Sequence, residues 1–142
     1  MIQFCDDERY FLEICDKLNS KKLQDIRLTQ TILYKYMIAG LYSQNIFTYT
    51  SHDNNKMNGC MVLICVKDIL GESVLSLLFA WIDAHYPKLH REFIEKTRQK
   101  ARELGITRIV FQTNRNEKLI NRKMGKYGFN KIFSVYEKKE VI

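Results

Sequence analysis

The chain has 142 residues, of which 46% are hydrophobic and 27% charged, with one proline and six glycines, a composition of globular type. That length is enough for one domain with its own core, without disulfides or metals to hold it. No apolar run approaches the roughly 20 residues needed to span a bilayer, which excludes a helical membrane protein.

Charge is unevenly placed along the chain. Residues 1–87 carry 8 Lys/Arg and 10 Asp/Glu, a balance of −2, whereas residues 88–142 carry 15 and 6, a balance of +9. A basic half of this kind suits an anionic partner: nucleic acid, an acidic protein surface or a phosphorylated small molecule.

At the start, MIQFC reads as a strand. The acidic turn that follows lacks the basic-then-apolar order of a secretory signal, so the expected compartment is the cytoplasm. Asp6 or Asp7 can cap a helix in which Tyr10, Phe11, Ile14, Cys15 and Leu18 recur at helical spacing. After the polar NSKK break, Leu23 to Tyr42 reads as one amphipathic helix or two shorter ones, with Ile26, Ile32, Leu33, Tyr36, Met37 and Leu41 as its apolar set.

Three strand signals follow, Asn45–Thr50, Cys60–Lys67 and Val74–Ala84, separated by the HDNNK and LGES turns, which predicts an antiparallel meander. The next segment, YPKLHREFIEKTRQKARELG, begins at a proline and ends at a glycine, both helix-end signals. Leu89, Phe93, Thr97, Ala101 and Leu104 share its apolar face; Arg91, Glu95, Arg98, Gln99 and Arg102 lie opposite. Its first turn gathers Lys88, His90 and Arg91, where free N–H groups and the helix dipole favour an anion. TRIVFQT then reads as a strand, NEKLINRKMGKYG as a helix and Lys131–Tyr136 as a last strand. A helix joining two strands in this way makes part of the sheet parallel.

The four cysteines, Cys5, Cys15, Cys60 and Cys65, form no C-x-x-C pair, and the odd spacing of the last two points them to opposite faces of a strand. They read as buried, reduced thiols. His52, His85 and His90 lack metal-ligand spacing, so no metal is expected.

This order of elements resembles the GNAT superfamily of N-acetyltransferases. The closest text is KTRQKARELGITRIVFQTNRNEKLINRKMGKYGFNKIFSVYEKK, which is similar to the family's central helix ending in A-x-x-x-G, its fifth strand, an Asn, and a helix closed by G-F before a terminal strand. The resemblance runs from about Cys60 to Lys139, with Met1–Ser51 matching in element order. It implies an α/β fold, a mixed, mainly antiparallel sheet of about six strands flanked by about four helices, in a single domain over residues 1–142.

The resemblance also implies acetyl-CoA as donor and an amine as acceptor; direct transfer is expected, since nothing suggests a cysteine nucleophile with a nearby histidine. Pantetheine would lie along the end of the fourth predicted strand, at Trp81 and Ile82, with the pyrophosphate at the start of the following helix. There the family has a Q/R-x-x-G-x-G/A loop, because a side chain would keep backbone from the phosphates. Counting back from Gly105 places its positions at His85, Lys88 and His90; the alternative is a shortened loop with His85-Tyr86-Pro87 where the family often has V-x-P. In either alignment the glycines are missing, and Lys88, His90 and Arg91 would hold phosphates by side-chain charge.

Asp83, at the end of the fourth strand, is the candidate base. The position where the family often places a tyrosine as acid is Met124, which cannot donate a proton, so Tyr127 is the nearest phenol and Tyr136 another. Asn114 or Asn116 corresponds to the family's cofactor-contacting asparagine, and Asn116 equally suits a helix cap. The competing function is a catalytically inactive protein of this fold that binds nucleic acid or an acidic partner through its basic half. A dedicated nucleic-acid module is not found: there is no zinc-finger spacing, RRM aromatic motif or basic zipper. An open sheet edge leaves homodimerisation available.

Overall fold

The computed structural model describes residues 2–19, 23–24, 28–111, 117–132 and 138. Its elements are β1 (Ile2–Phe4), α1 (Glu8–Asp16), β2 (Leu23–Gln24), α2 (Gln30–Gly40), β3 (Ile46–Asp53), β4 (Lys56–Lys67), β5 (Ser73–Ile82), α3 (Leu89–Leu104), β6 (Ile109–Phe111) and α4 (Glu117–Gly125). The expected last strand at Lys131–Tyr136 lies largely outside the described residues, as do Asn114, Asn116 and Tyr136.

Among the described residues the sheet has six strands in the order β1-β3-β4-β5-β2, with β6 also paired to β5. All pairings are antiparallel except β5 with β6. The fold is therefore the mixed, mainly antiparallel α/β sheet that the sequence predicts. The HDNNK turn closes β3 onto β4 through Asn54 and Asn55 at φ 50° and 63°, the left-handed region that asparagine tolerates better than other side chains.

Strand alternation divides the core in two. Ile46, Cys60, Val62 and Phe79 face α1 and α2, where they meet Phe11, Ile14, Leu33 and Met37. Phe47, Tyr49, Met61, Leu63 and Leu75 face α3, where they meet Leu89, Phe93 and Ala101. Cys60 thus packs on one side of the sheet and Cys65 on the other, as their spacing requires. All four cysteines are free, and burial pushes the Cys60 thiol up, away from nucleophile chemistry.

Helix α1 starts where expected, with the Asp7 carboxylate accepting from the Arg9 N–H at 3.0 Å. The long helical reading from Leu23 needs correction: the helix begins at Gln30, capped by Thr29, and Leu23–Gln24 is a short strand. Within α2, Leu33 and Met37 enter the core with Tyr34 and Ile38 packed beside them, while Ile32 and Tyr36 are exposed because the buried stripe lies on their other side.

Helix α3 buries Leu89, Phe93, Thr97 and Ala101, whereas Leu104 at its end is exposed. Gly105, at φ 68°, terminates it, and the Ile106 N–H returns to the Ala101 carbonyl at 2.8 Å. This cap turns the chain directly into β6.

Candidate active site

The outer edge of β5 changes partner along its length. Leu75–Leu77 pair with β6. Leu78 is then an extra residue, because Leu63 opposes Leu77 while Val62 opposes Phe79. This bulge puts Leu78 and Phe79 on the same side of the sheet. Further along, Phe79 and Ala80 pair with β2. The last two residues of β5 diverge: Trp81 faces the α1 side, with the Lys17 ammonium 4.3 Å from its ring centre, and Ile82 is buried toward α3.

The loop after β5 is fixed by short-range bonds. The Asp83 N–H donates to the Asn58 carbonyl at 2.9 Å, and the Tyr86 N–H donates to the Asp83 carbonyl at 2.9 Å. One Asp83 carboxylate oxygen accepts from the His85 N–H at 2.9 Å and lies 2.8 Å from His85 Nδ1. These bonds from His85 hold the Asp83 carboxyl below the usual carboxylate range. Asp83 is thus a weaker base than an unengaged carboxylate.

Tyr86 reaches across to the β3–β4 hairpin, its hydroxyl donating to Asp53 Oδ2 at 2.7 Å, and this contact raises the pKa of the phenol. Lys56, Met57, Asn58, Asp83, His85 and Tyr86 enclose a pocket of about 170 Å³ between hairpin and loop. Asn58 is the extra residue of a second bulge, since Ser51 opposes Gly59 and His52 opposes Met57. Its side-chain Oδ1 is buried with no hydrogen-bond partner, as are Ser51 Oγ and His52 Nε2.

A second cleft, of about 400 Å³, lies between α3 and the turn after α4, lined by Arg91, Ile94, Glu95, Arg98, Lys126 and Tyr127. Glu95 is held by Arg98 at 3.3 Å and by Arg102 at 3.8 Å, so the cleft keeps a cationic excess. Lys126 Nζ lies 5.2 Å from the Tyr127 ring centre.

The helix start itself offers less than its sequence suggests. Lys88 occupies the cap position of α3 with no side-chain cap bond. The Leu89 N–H donates to the Tyr86 carbonyl at 3.0 Å and the His90 N–H to the Pro87 carbonyl at 3.4 Å. Two groups that would face a phosphate are therefore turned inward, and no glycine relieves residues 84–90.

The sequence-derived residues fall into two groups. Asp83 and His85 line the hairpin pocket, with Trp81 and Ile82 on the strand leading to it; Arg91 and Tyr127 line the basic cleft, with Lys88 and His90 at its helix. Asp83 and Tyr127 do not share a pocket, and Asn116 lies outside the described residues. Met124, at the expected acid position, is buried in the packing of α4. Sequence reasoning did not single out Asn58, Asp53 or Lys126 as site residues. A D-x-H pair closing a strand is a recognisable Asx-turn signal that could have linked Asp83 to His85. Among the described residues no group of His, Cys, Asp and Glu could hold a metal ion, and no helix is long and apolar enough to cross a membrane.

The fold is that of the GNAT N-acetyltransferases. An aminoglycoside antibiotic 6'-N-acetyltransferase from Acinetobacter haemolyticus superposes with a TM-score of 0.76 at 11% identity, covering 100% of this chain and 99% of the other. A predicted acetyltransferase from Clostridium acetobutylicum, solved with acetyl-CoA, gives 0.73 at 13% identity over 98% and 96% of the two chains. A ribosomal-protein-alanine N-acetyltransferase from Brucella melitensis gives 0.68 at 13% identity over 99% of both chains. No protein-family model and no curated protein matches the sequence. The likeness is carried by the fold rather than by residues.

Proposed function

We propose that this chain is an acyl-CoA-dependent N-acyltransferase that moves an acetyl group from acetyl-CoA to an amine by direct transfer. The observation that carries the reading is the basic cleft beside α3, in a fold shared over 98% of the chain with a predicted acetyltransferase solved with acetyl-CoA.

Acetyl-CoA supplies the activated acyl group and carries the phosphates that make it an anion. Arg91, Arg98 and Lys126 line a cleft suited to those phosphates, and Lys88 and His90 stand at the helix that borders it. With the Leu89 and His90 N–H groups engaged, side-chain cations replace the family's glycine cradle. The backbone at Trp81 and Ile82 would guide the pantetheine along the end of β5. Tyr127 is the phenol available to protonate a departing thiolate, and Asn116 remains a proposed cofactor contact.

Calorimetric titration with acetyl-CoA and CoA tests this reading. Saturable binding is expected, and Lys88→Glu/Arg91→Glu should weaken it at least about tenfold, the effect of losing roughly 1.4 kcal/mol of charge-assisted contact. Absence of binding at about millimolar CoA, a Kd corresponding to only some 4 kcal/mol, would reject it.

A second reading is favoured by the inward-turned N–H groups at the start of α3: a catalytically inactive protein of this fold whose basic face binds nucleic acid or an acidic partner. Binding to nucleic acid would weaken steeply with salt through counterion release, and charge reversal at Arg98 and Arg102 would reduce it. Saturable CoA binding without nucleic-acid affinity separates the two.

A further inference from the structure

The end of the sheet remote from the hairpin pocket carries large aliphatic and aromatic side chains in solvent. We propose that the β4–β5 turn, with Tyr42 and Val66 beside it, is a self-association surface that joins two copies of this chain end to end.

The turn is built to hold its shape. One oxygen of the Asp68 carboxylate accepts the N–H groups of Leu70 and Glu72 at 2.9 and 3.0 Å, and the Gly71 N–H donates to the Asp68 carbonyl at 3.0 Å. Gly71 adopts φ 82°, in the region that favours glycine. The Arg108 guanidinium, just before β6, binds the other Asp68 oxygen and lies 3.3 Å from a Glu72 oxygen. Those bonds leave Ile69 and Leu70 at the tip, 100% and 81% exposed. A turn fixed in this way has little conformational freedom left to lose on docking.

Neighbouring segments add to the same end. β3 begins beside the end of β4: the Cys65 N–H donates to the Asn45 carbonyl at 2.7 Å, and Ile46 opposes Ile64. Tyr42, 86% exposed, lies shortly before Asn45 at the close of α2. Val66 alternates onto the same face of the sheet as Ile64, the face that α2 covers, and is itself exposed. Together the four residues present roughly 500–600 Å² of largely apolar surface, at the upper end for a monomeric protein.

Charge and area select the occupant. The chain carries a formal net charge of +7, so two copies repel wherever basic residues dominate. At this tip Lys67 and Arg108 are balanced by Asp68 and Glu72. That balance lets a second copy approach and offers no positive excess to nucleic acid or an anionic membrane. A two-fold contact sets the patch against its own copy and buries about 1,000–1,200 Å² in all, the lower limit for a specific interface and the range of weak, reversible dimers. Lys67 and Glu72 flank the turn, both exposed, so the rim of one copy can pair with that of the other. The hairpin pocket lies at the opposite end of β5, about 30 Å away along the strand, and stays open in such a dimer.

The test is molar mass by sedimentation and light scattering from about 1 to about 300 μM protein, the span in which a contact of this area should assemble. The monomer is 16.9 kDa, and a concentration-dependent rise toward twice that mass is expected. Ile69→Ser/Leu70→Ser should weaken association about 30-fold or more, with circular dichroism and Tm unchanged because neither side chain enters the core. Lys67→Glu and Glu72→Lys should each self-associate more weakly than wild type. An equimolar mixture of those two variants should favour the mixed dimer, in which opposite charges meet again at both rim contacts. A mass that stays at the monomer throughout would overturn the proposal, as would a dimer that Ile69→Ser/Leu70→Ser leaves intact. A monomer that binds phosphatidylcholine vesicles through Ile69 and Leu70 would also overturn it, by assigning the tip to a lipid surface.

Discussion

Gly59 is where the sheet makes room for α3, and Gly59→Ala is the substitution that exposes this dependence. It lies on β4 beneath the first two turns of the helix, where a methyl group would stand 2.7 Å from Phe93 Cε2, 3.2 Å from Phe93 Cζ and 3.3 Å from Leu89 Cδ1. The shortest contact is about 1 Å inside the roughly 3.5–4.0 Å optimum for two carbons. Phe93 and Leu89 are both buried, so neither can swing into solvent. Overpacking of this kind costs about 1–3 kcal/mol. The stiffer unfolded chain of alanine returns about 0.4–1 kcal/mol; with both buried neighbours held in place the cost falls in the upper half of its range, leaving a net loss of about 1–2 kcal/mol. For a chain of this size that lowers Tm by about 3–8 °C, measurable by circular dichroism or calorimetry. Because the helix must lift at its N-terminal end, acetyl-CoA affinity should fall with stability. Phe93→Leu in the same chain should cost less than its separate effect, since it vacates the space the methyl needs. A Gly59→Ala protein as stable as wild type would show that α3 does not rest on this position.

Asp68 and Arg108 provide a test at the far end of the sheet. The Arg108 guanidinium, then the N–H groups of Glu72 and Leu70, hold the Asp68 carboxyl below its usual range. Its stabilisation is therefore present above the ordinary carboxylate pKa and is lost as pH falls through the lowered folded value; Asp68→Asn should flatten urea-midpoint curves on that acid side only. An unchanged acid slope would remove the pair from the account of stability. Gly105→Ala, at φ 68°, should cost about 1 kcal/mol by thermal unfolding, and no loss there would contradict the left-handed helix cap.

The meander, the cap at Asp7 and the buried stripe of α3 could be read from the sequence because each is set locally: strand-forming runs set off by the HDNNK and LGES turns, and four-residue recurrence of Leu89, Phe93, Thr97 and Ala101. Leu23–Gln24 could not, since a two-residue strand has no periodicity and exists only through its pairing with Phe79 and Ala80. The helical spacing of Ile32 and Tyr36 was real, but spacing does not say which stripe meets the sheet. The anion site was half legible. Basic residues at the start of α3 are plain in the text, whereas the inward bonds of Leu89 and His90 depend on where the preceding turn places the Tyr86 and Pro87 carbonyls. Asp53 and Tyr86, 33 positions apart, meet because the hairpin folds back over the loop, a contact no local pattern encodes. Asn58 is hidden for a similar reason, as its place in a bulge follows from the register of β4 against β3.

The central claim is tested most directly by following acetyl-CoA turnover with the purified protein and three amine probes, spermidine, an alanine-terminated peptide and an aminoglycoside, with the acylated product identified by mass spectrometry. The account predicts amine-dependent loss of thioester matched by acetylated amine, diminished by Lys88→Glu/Arg91→Glu through weaker binding of acetyl-CoA. Protein that neither binds acetyl-CoA nor acetylates any probe, while binding nucleic acid in a salt-sensitive manner, would contradict it and assign the basic cleft to a different anion.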